Sequence, residues 1–244
     1  MKIVDRKNKK RINKEDPVKK NPVKDEETKE KEYSPMDPPE TNEIPGKVEE
    51  VPYEKMPTVI QQFMDEHQTA IKELEKFEEA LTNFKKEKWV IDEEKSKAFQ
   101  EFFSFLDDNI LDHNQREEKI LFELLHERLI EAGEHGQLND REGRTRTSID
   151  LMEDDHVKFI QYGSLVFNFL GLSEQLPDLK SQSMVADLAY SKGMELTEML
   201  RLHIEREDTI LFPQAYNLIS KEEFEEMEEK MKEKEKGEEK EKNE

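Results

Sequence analysis

Apolar side chains recur every three or four positions along four separate stretches between residues 57 and 217. This spacing places them on one face of a helix, with charged residues on the opposite face. The four predicted inner faces are Ile60, Phe63, His67, Ala70, Leu74, Phe77, Leu81 and Phe84; Phe99, Phe102, Leu106, Ile110, His113, Glu117, Ile120 and Leu124; Ile149, Met152, His156, Phe159 or Ile160, Gly163 and Phe167; and Ala186, Ala189, Gly193, Leu196, Leu200, His203, Glu207 and Ile210.

Helix breaks separate these stretches. They read "FKKEKWVIDEEK", "EAGEHGQLNDREGRTRTS" and "LGLSEQLPD". A helix with one apolar face must bury that face against other helices. We therefore expect an all-α fold in which four helices of about 25 to 35 residues form an up-down-up-down four-helix bundle.

The two ends of the chain differ in composition from this middle part. Eight of the ten prolines lie within residues 1–57, among charges and few large apolar side chains. Such a segment buries too little surface to offset its ordering entropy. We expect residues 1–56 to be a disordered tail, residues 57–219 to be the bundle, and residues 220–244 to be a short charged accessory helix and tail. Ser220 and Glu223 have the spacing of a capping box at its start.

Charge and composition exclude several classes of protein. The net charge of −21 argues against non-specific nucleic-acid binding by the whole chain, and the lack of cysteine excludes disulfides and thiolate metal sites. No stretch is apolar enough for a membrane span or a secretory signal, so we expect a cytoplasmic protein. Residues 1–24 are basic. They are either part of a solubilising tail or a docking arm for an anionic partner.

Each predicted inner face carries one histidine, and two of them add a glutamate four residues later. "HNQREEKILF" begins at His113, and "HIEREDTILF" begins at His203. Residues four apart lie one turn apart on the same face of a helix. His67 and His156 are the single histidines of the other two faces. The sequence therefore predicts two helical hairpins of similar plan.

Two glutamates on an inner face create an energetic problem. An unpaired buried carboxylate costs several kcal/mol or takes up a proton, and no lysine or arginine lies on the same faces. A bound cation would solve this problem. The predicted metal ligands are His67, His113, Glu117, His156, His203 and Glu207.

Six donors are too many for one tetrahedral zinc ion, and they suffice for two ions that share bridging carboxylates. Mixed imidazole and carboxylate ligation suits non-haem iron, with manganese or zinc as alternatives. A structural bundle with protonated carboxylates is the competing interpretation.

Other polar residues are assigned simpler roles. His126 and His135 lack the helical context of the four histidines, so we expect both on the surface. Glu118 and Asp208 follow the two predicted glutamate ligands. We expect them to face water or to hydrogen-bond a metal-ligating side chain.

At these residues the sequence resembles the hemerythrin-like, HHE cation-binding family, across roughly residues 57–217. The strings "DEH", "HNQRE", "DDH" and "HIERE" occur in the order of the family's pattern. The resemblance implies a four-helix bundle around a non-haem di-iron centre. The implied terminal ligands are His67, His113, His156 and His203, and the implied bridging ligands are Glu117 and Glu207.

The resemblance also suggests a branch of the family. Oxygen-carrying hemerythrins place a second histidine one turn after the third-helix ligand, where this chain has Ile160. The sequence is more similar to the bacterial branch associated with nitrosative stress and iron–sulfur cluster repair. Members of that branch usually carry a cysteine-containing N-terminal domain, which a cysteine-free tail replaces here.

Two functional hypotheses follow from this site. The first is a di-iron module that binds or senses O₂, NO or iron. The second is a di-iron enzyme acting on O₂, peroxide or NO, or an iron donor for cluster repair. Both need the same metal ions, so the sequence leaves open whether the protein is an enzyme. No separate substrate-binding domain is evident, which favours the first hypothesis. We expect no specific nucleic-acid partner.

Overall fold

The computed structural model describes residues 50–134 and 146–241, and no strand occurs within these two segments. The predicted disorder of the N-terminal tail falls mostly on residues outside this described part. Residues 50–56 are described, and they include a 3₁₀ turn at Tyr53–Lys55. Met56, which follows the turn, is buried. The ordered structure thus begins before Pro57, because Met56 packs against the first helix.

Five helices occur in the described segments. The single-segment helices are α1, Thr58–Lys86; α3, Ser148–Gln175; and α5, Lys221–Glu241. Helix α2 runs through Glu93–Phe105, Leu106–Ile110, Leu111–Arg116, Glu117–Phe122 and Glu123–Glu131. Helix α4 runs through Leu179–Arg206, Glu207–Leu211 and Phe212–Leu218. Leu106–Ile110, Glu117–Phe122 and Glu207–Leu211 are π-helical. None of the described helices is both long and apolar enough to cross a membrane.

Side-chain caps start α2, α3 and α4. Asp92 accepts a hydrogen bond from the backbone N–H of Lys95 at the start of α2, and Asp178 accepts one from Ser181 at the start of α4. Thr147 and Asp150 form a capping box at the start of α3. Each cap satisfies backbone donors that lack an intrahelical partner, which fixes where the helix begins.

The four long helices pack side by side as a helical bundle. Between α1 and α2, the rings of Phe77 and Phe102 stack at 3.7 Å. Two glycines allow close contact elsewhere. A Cβ atom at Gly193 of α4 would lie 2.5 Å from Leu81 of α1. A Cβ atom at Gly163 of α3 would lie 2.6 Å from Leu106 of α2. These contacts join α1 to α2, α1 to α4, and α2 to α3.

Two apolar clusters fill the bundle, and the polar residues of interest lie between them. In α1, the first cluster takes residues from Ala70 to Phe84, whereas the second takes Val59, Ile60 and Phe63. His67 lies in the gap. In the other three long helices the candidate ligands likewise lie near the boundary between the two clusters. A layer of polar side chains therefore crosses the bundle between the two apolar clusters.

The buried faces differ from the sequence prediction at a few positions. Phe167 is 61% exposed, while Val166 is buried. After Glu117, the buried residues are Leu121 and Phe122 in place of the predicted Ile120. The predicted inner positions Leu124 and Ile210 are likewise only half-buried. In α2 and α4 the π-helical turns explain the shift, because a π turn contains an extra residue and rotates the rest of the inner face.

Helix α5 covers one end of the bundle. Phe224, Met227 and Met231 are buried in the second apolar cluster. Ser220 and Glu223 form the expected capping interactions, with the Glu223 carboxylate accepting from the Ser220 N–H at 2.8 Å. The helix continues to Glu241, so it is longer than the short helix that the sequence predicts.

Candidate metal centre

The polar layer contains the six residues that the sequence predicts as metal ligands. All six are buried, and Glu117 and Glu207 have no exposed surface. They form two groups whose donor atoms lie within 4.8 Å of one another. The first group is His67, His113, Glu117 and Glu207, and the second is Glu117, His156, His203 and Glu207. The two groups share both glutamates.

The four imidazoles form two pairs. Nε2 of His67 lies 3.0 Å from Nε2 of His113. Nε2 of His156 lies 3.0 Å from Nε2 of His203. Each pair joins two neighbouring helices of one hairpin, α1 with α2 and α3 with α4. The ring nitrogens of a pair therefore point towards a common region between the helices.

Each glutamate presents one oxygen to each pair of histidines. Oε2 of Glu207 lies 3.2 Å from Nε2 of His67, and its Oε1 lies 3.0 Å from Nε2 of His203. Oε1 of Glu117 lies 3.3 Å from Nε2 of His113, and its Oε2 lies 3.7 Å from Nε2 of His156. Both carboxylates thus lie between the two histidine pairs.

Acidic residues form hydrogen bonds with the Nδ1 atoms of three of the imidazoles, on the ring side away from the glutamates. Nδ1 of His67 donates to Asp208 at 2.8 Å, and Nδ1 of His156 donates to Glu118 at 2.7 Å. These contacts place Asp208 and Glu118 in the supporting role that the sequence suggests for them. Such carboxylates fix the tautomer and orientation of a histidine and make its other nitrogen a better donor to a metal.

Sequence reasoning missed Glu66 and Asp155. Nδ1 of His113 donates to Glu66 at 2.6 Å. Asp155 lies beside His203, but its Oδ2 is 3.9 Å from Nδ1, which is too long for a hydrogen bond. A signal was present in "DEH" and "DDH", where an acid directly precedes a histidine. Glu66 hydrogen-bonds the histidine of the next helix, whereas Asp155 lies near its own neighbour, His203, without a hydrogen bond.

The donor set fits a cation. Both oxygens of Glu117 and of Glu207 are buried without a hydrogen-bond partner among the described residues. Where Nδ1 carries the proton, as at His67 and His113, a neutral imidazole presents a lone pair at Nε2. Two imidazole nitrogens 3.0 Å apart repel each other when both carry a lone pair, and buried carboxylate oxygens without hydrogen bonds are unfavourable. Positive charge close to these atoms would stabilise them. A bound metal ion would supply it.

The pKa values show the same demand for positive charge. Burial lowers the pKa of His67, but contacts with Asp208 and Glu207 outweigh this effect and raise the pKa to about 10. At His203, burial is outweighed by the charge of Glu207 and by Asp155, and the pKa rises to about 9. Burial raises the pKa of Glu207, whereas His203 and His67 hold it well below its usual value. A metal ion at this site would displace protons from the imidazoles.

A cavity of about 220 Å³ adjoins the first histidine pair. Its lining includes His67, His113 and His203, together with Ala70 and Asn114. The side-chain nitrogen of Asn114 is buried and has no hydrogen-bond partner among the described residues. The site therefore has adjacent space for a small molecule.

His126 lies apart from this cluster. His126 is half-buried, and its Nδ1 lies 2.8 Å from the hydroxyl of Thr147 near the start of α3. His135 lies outside the described residues. Ile160 is 49% exposed, whereas Phe159 packs edge-on against His203 at 4.9 Å. Position 160 therefore faces away from the site, and the lack of a histidine there does not determine the ligand set.

Both glutamates stand at the first position of a π-helical turn. π-helical turns are rare and occur frequently at functional sites. The strings that follow the glutamates, "EEKILF" and "EDTIL", share this backbone. The repeated sequence therefore corresponds to a repeated local structure, which periodicity alone did not predict.

Fold and site together define a helical bundle with a buried histidine and glutamate cluster that is compatible with metal binding. The family model of the hemerythrin HHE cation binding domain matches residues 58–215. Because the match covers well over half of the chain, the protein belongs to this family. No curated protein and no solved structure gives a significant match to the chain.

Proposed function

We propose that the protein binds two non-haem iron ions and uses them to bind or sense O₂, NO or iron. The observation that carries this proposal is the position of the two glutamates, each with one oxygen towards each histidine pair. His67 and His113 would hold one ion, and His156 and His203 the other. Glu117 and Glu207 would bridge them.

Ligand chemistry supports iron. Imidazole and carboxylate donors suit iron, whereas manganese and zinc are the alternatives for the same donors. We infer that the four long helices are arranged as an up-down-up-down four-helix bundle, the fold in which di-iron sites of this kind occur. A ferrous pair held by these residues would supply electrons to a small ligand. The surrounding apolar clusters keep bulk water away from this layer.

The size of the cavity favours a small ligand. Its volume of about 220 Å³ lies below the roughly 300–1,000 Å³ of sites for drug-sized molecules. A diatomic gas fits this space, and so does peroxide. The alternative function is therefore a di-iron enzyme acting on O₂, peroxide or NO, or an iron donor for iron–sulfur cluster repair as in the bacterial branch of the family.

Loading with ferrous iron in the absence of air, followed by O₂ or NO, tests the proposal. A stable and reversible change in the visible spectrum supports binding or sensing. Rapid consumption of NO or peroxide in the presence of a reductant supports the enzyme. No spectral change with either gas would contradict both. The Glu117→Ala variant, loaded in the same way, is the matched control.

Two further expectations remain predictions. Residues 1–24 would bind an anionic partner if they act as a docking arm, and no specific nucleic-acid or membrane partner is expected. A cytoplasmic location also remains a prediction. A pull-down with and without residues 1–24 addresses the first of these.

A further inference from the structure

A chain of charged contacts begins on helix α5, outside the part of the chain that matches the family model. Nζ of Lys234 donates to Oδ1 of Asp112 in α2 at 2.6 Å. Oδ2 of the same carboxylate accepts from Nε of Arg116 at 2.8 Å. The last helix is thus tied to the segment of α2 that carries His113.

The chain continues to the candidate metal ligand. The guanidinium of Arg116 donates to both oxygens of Glu66, at 2.9 and 2.7 Å. Oε2 of Glu66 accepts from Nδ1 of His113 at 2.6 Å. Two parallel bonds between a guanidinium and a carboxylate fix the plane of both groups.

The other hairpin provides an internal control. Arg206 approaches Asp155 through one nitrogen at 3.2 Å, and Asp155 lies 3.9 Å from Nδ1 of His203. Leu202 stands where Asp112 stands in the first hairpin, four residues before the arginine, and it is exposed. Nδ1 of His203 has no hydrogen-bond partner among the described residues. Lys234 therefore contacts the hairpin in which the histidine of the second helix, His113, has a hydrogen bond at Nδ1.

Helix α5 is itself well anchored. Phe224, Met227 and Met231 are buried against the end of the bundle. Arg128 and Glu223 add an ion pair between α2 and α5 at 2.5 Å. These contacts hold Lys234 in position over Asp112.

We propose that α5 is a positioning element for the metal site, and that Lys234 acts on His113 through Asp112, Arg116 and Glu66. This inference rests on the proposed metal binding. Each bond in the chain limits the rotation of the next group, so the ring of His113 is held with Nε2 towards the glutamates. Displacing α5 then weakens one metal position, that of His67 and His113, and leaves the position of His156 and His203 intact.

The test is a titration of the full chain with Co²⁺ in competition with a chelator, which resolves the two positions by affinity and absorption. Lys234→Met should weaken one position by about threefold to tenfold, less than the 10- to 100-fold typical of a direct histidine support. The second position should not change. Lys230→Met, at an exposed position of the same helix, is the control, and Lys234→Arg should restore the affinity.

A double variant separates the relay from a general loss of packing. If Lys234 acts through Glu66, then Lys234→Met should have no further effect in a Glu66→Gln background, because the chain is already broken. Additive effects would overturn the relay. Unchanged affinity in Lys234→Met, with two Co²⁺ ions bound to the wild type, would overturn the inference alone. A wild type that binds no Co²⁺ would overturn the proposed function as well.

Discussion

The two hairpins of the bundle offer the same donors to the site but support them differently. His67 and His113 in the first correspond to His156 and His203 in the second, and both second helices enter a π-helical turn at a glutamate. In the first hairpin, Glu66 binds the imidazole of His113 at 2.6 Å. In the second, the matching distance is 3.9 Å. The candidate ligands are duplicated, whereas their surroundings are not.

The second difference concerns access. Ala70 lies three residues after His67, and Phe159 lies three residues after His156. Ala70 lines the cavity beside the first pair, while the ring of Phe159 packs against His203. A similar set of donors in the two hairpins thus gives two candidate metal positions with unlike surroundings. We expect a small ligand to approach from the side of Ala70.

Metal removal affects both hairpins and should have the largest effect. Binding to the folded state alone stabilises it by about 4 kcal/mol per site when free metal is about 1,000 times the dissociation constant. Chelation should therefore lower the melting temperature by roughly 10 °C or more. Differential scanning calorimetry with and without chelator measures this. Equal melting temperatures would mean that metal is incidental to the fold.

Loss of a shared glutamate should weaken metal binding in both hairpins. Glu117→Ala or Glu207→Ala removes one oxygen from each group, because both groups contain both residues. Metal content should fall from two ions to one or none, as measured by elemental analysis. Glu198→Ala, at an exposed position of α4, should retain two ions. Full metal content in both glutamate variants would rule out bridging.

Removing the acid beside His113 should weaken metal binding more than removing the acid beside His203. Glu66→Gln should weaken metal binding by about 10- to 100-fold, as is typical when a support of a ligating histidine is lost. Asp155→Asn should have a smaller effect, because its carboxylate does not reach hydrogen-bond distance of His203. Chelator competition gives both affinities. Equal losses would show that the two supports are equivalent.

Closing the cavity should change metal binding least. Ala70→Phe copies the residue found at position 159 and should block ligand access, at a cost of about 1–3 kcal/mol in stability from overpacking. Metal content should stay at two, while azide binding to the iron-loaded protein, followed by its absorption band, should slow or disappear. Ala70→Val should give an intermediate rate. Unchanged azide binding in Ala70→Phe would place the entry route elsewhere.

Much of the site follows from helical periodicity. His67, His113, His156 and His203 lie on the predicted inner faces, and the structure buries all four. The four-residue spacing from His113 to Glu117 places both side chains on one face, as observed. Periodicity suffices here because each residue lies within a regular part of its helix or at its end.

Other features depend on contacts between helices, which periodicity does not contain. Glu66 hydrogen-bonds His113 of the neighbouring helix and Asp155 lies near His203, so their positions relative to these histidines appear only when the helices are packed. The π-helical turns after Glu117 and Glu207 shift the buried face by one residue, which exchanges Ile120 for Leu121. A three-to-four residue pattern assumes a regular helix and cannot predict this shift.

The most direct test of the central claim is an anaerobic titration of the metal-free protein with ferrous iron, read by elemental analysis after removal of unbound metal. The account predicts two iron ions per chain, held by two histidine pairs that share two carboxylates. One ion would contradict the bridged pair. Retention of no iron, manganese or zinc would contradict the metal site itself.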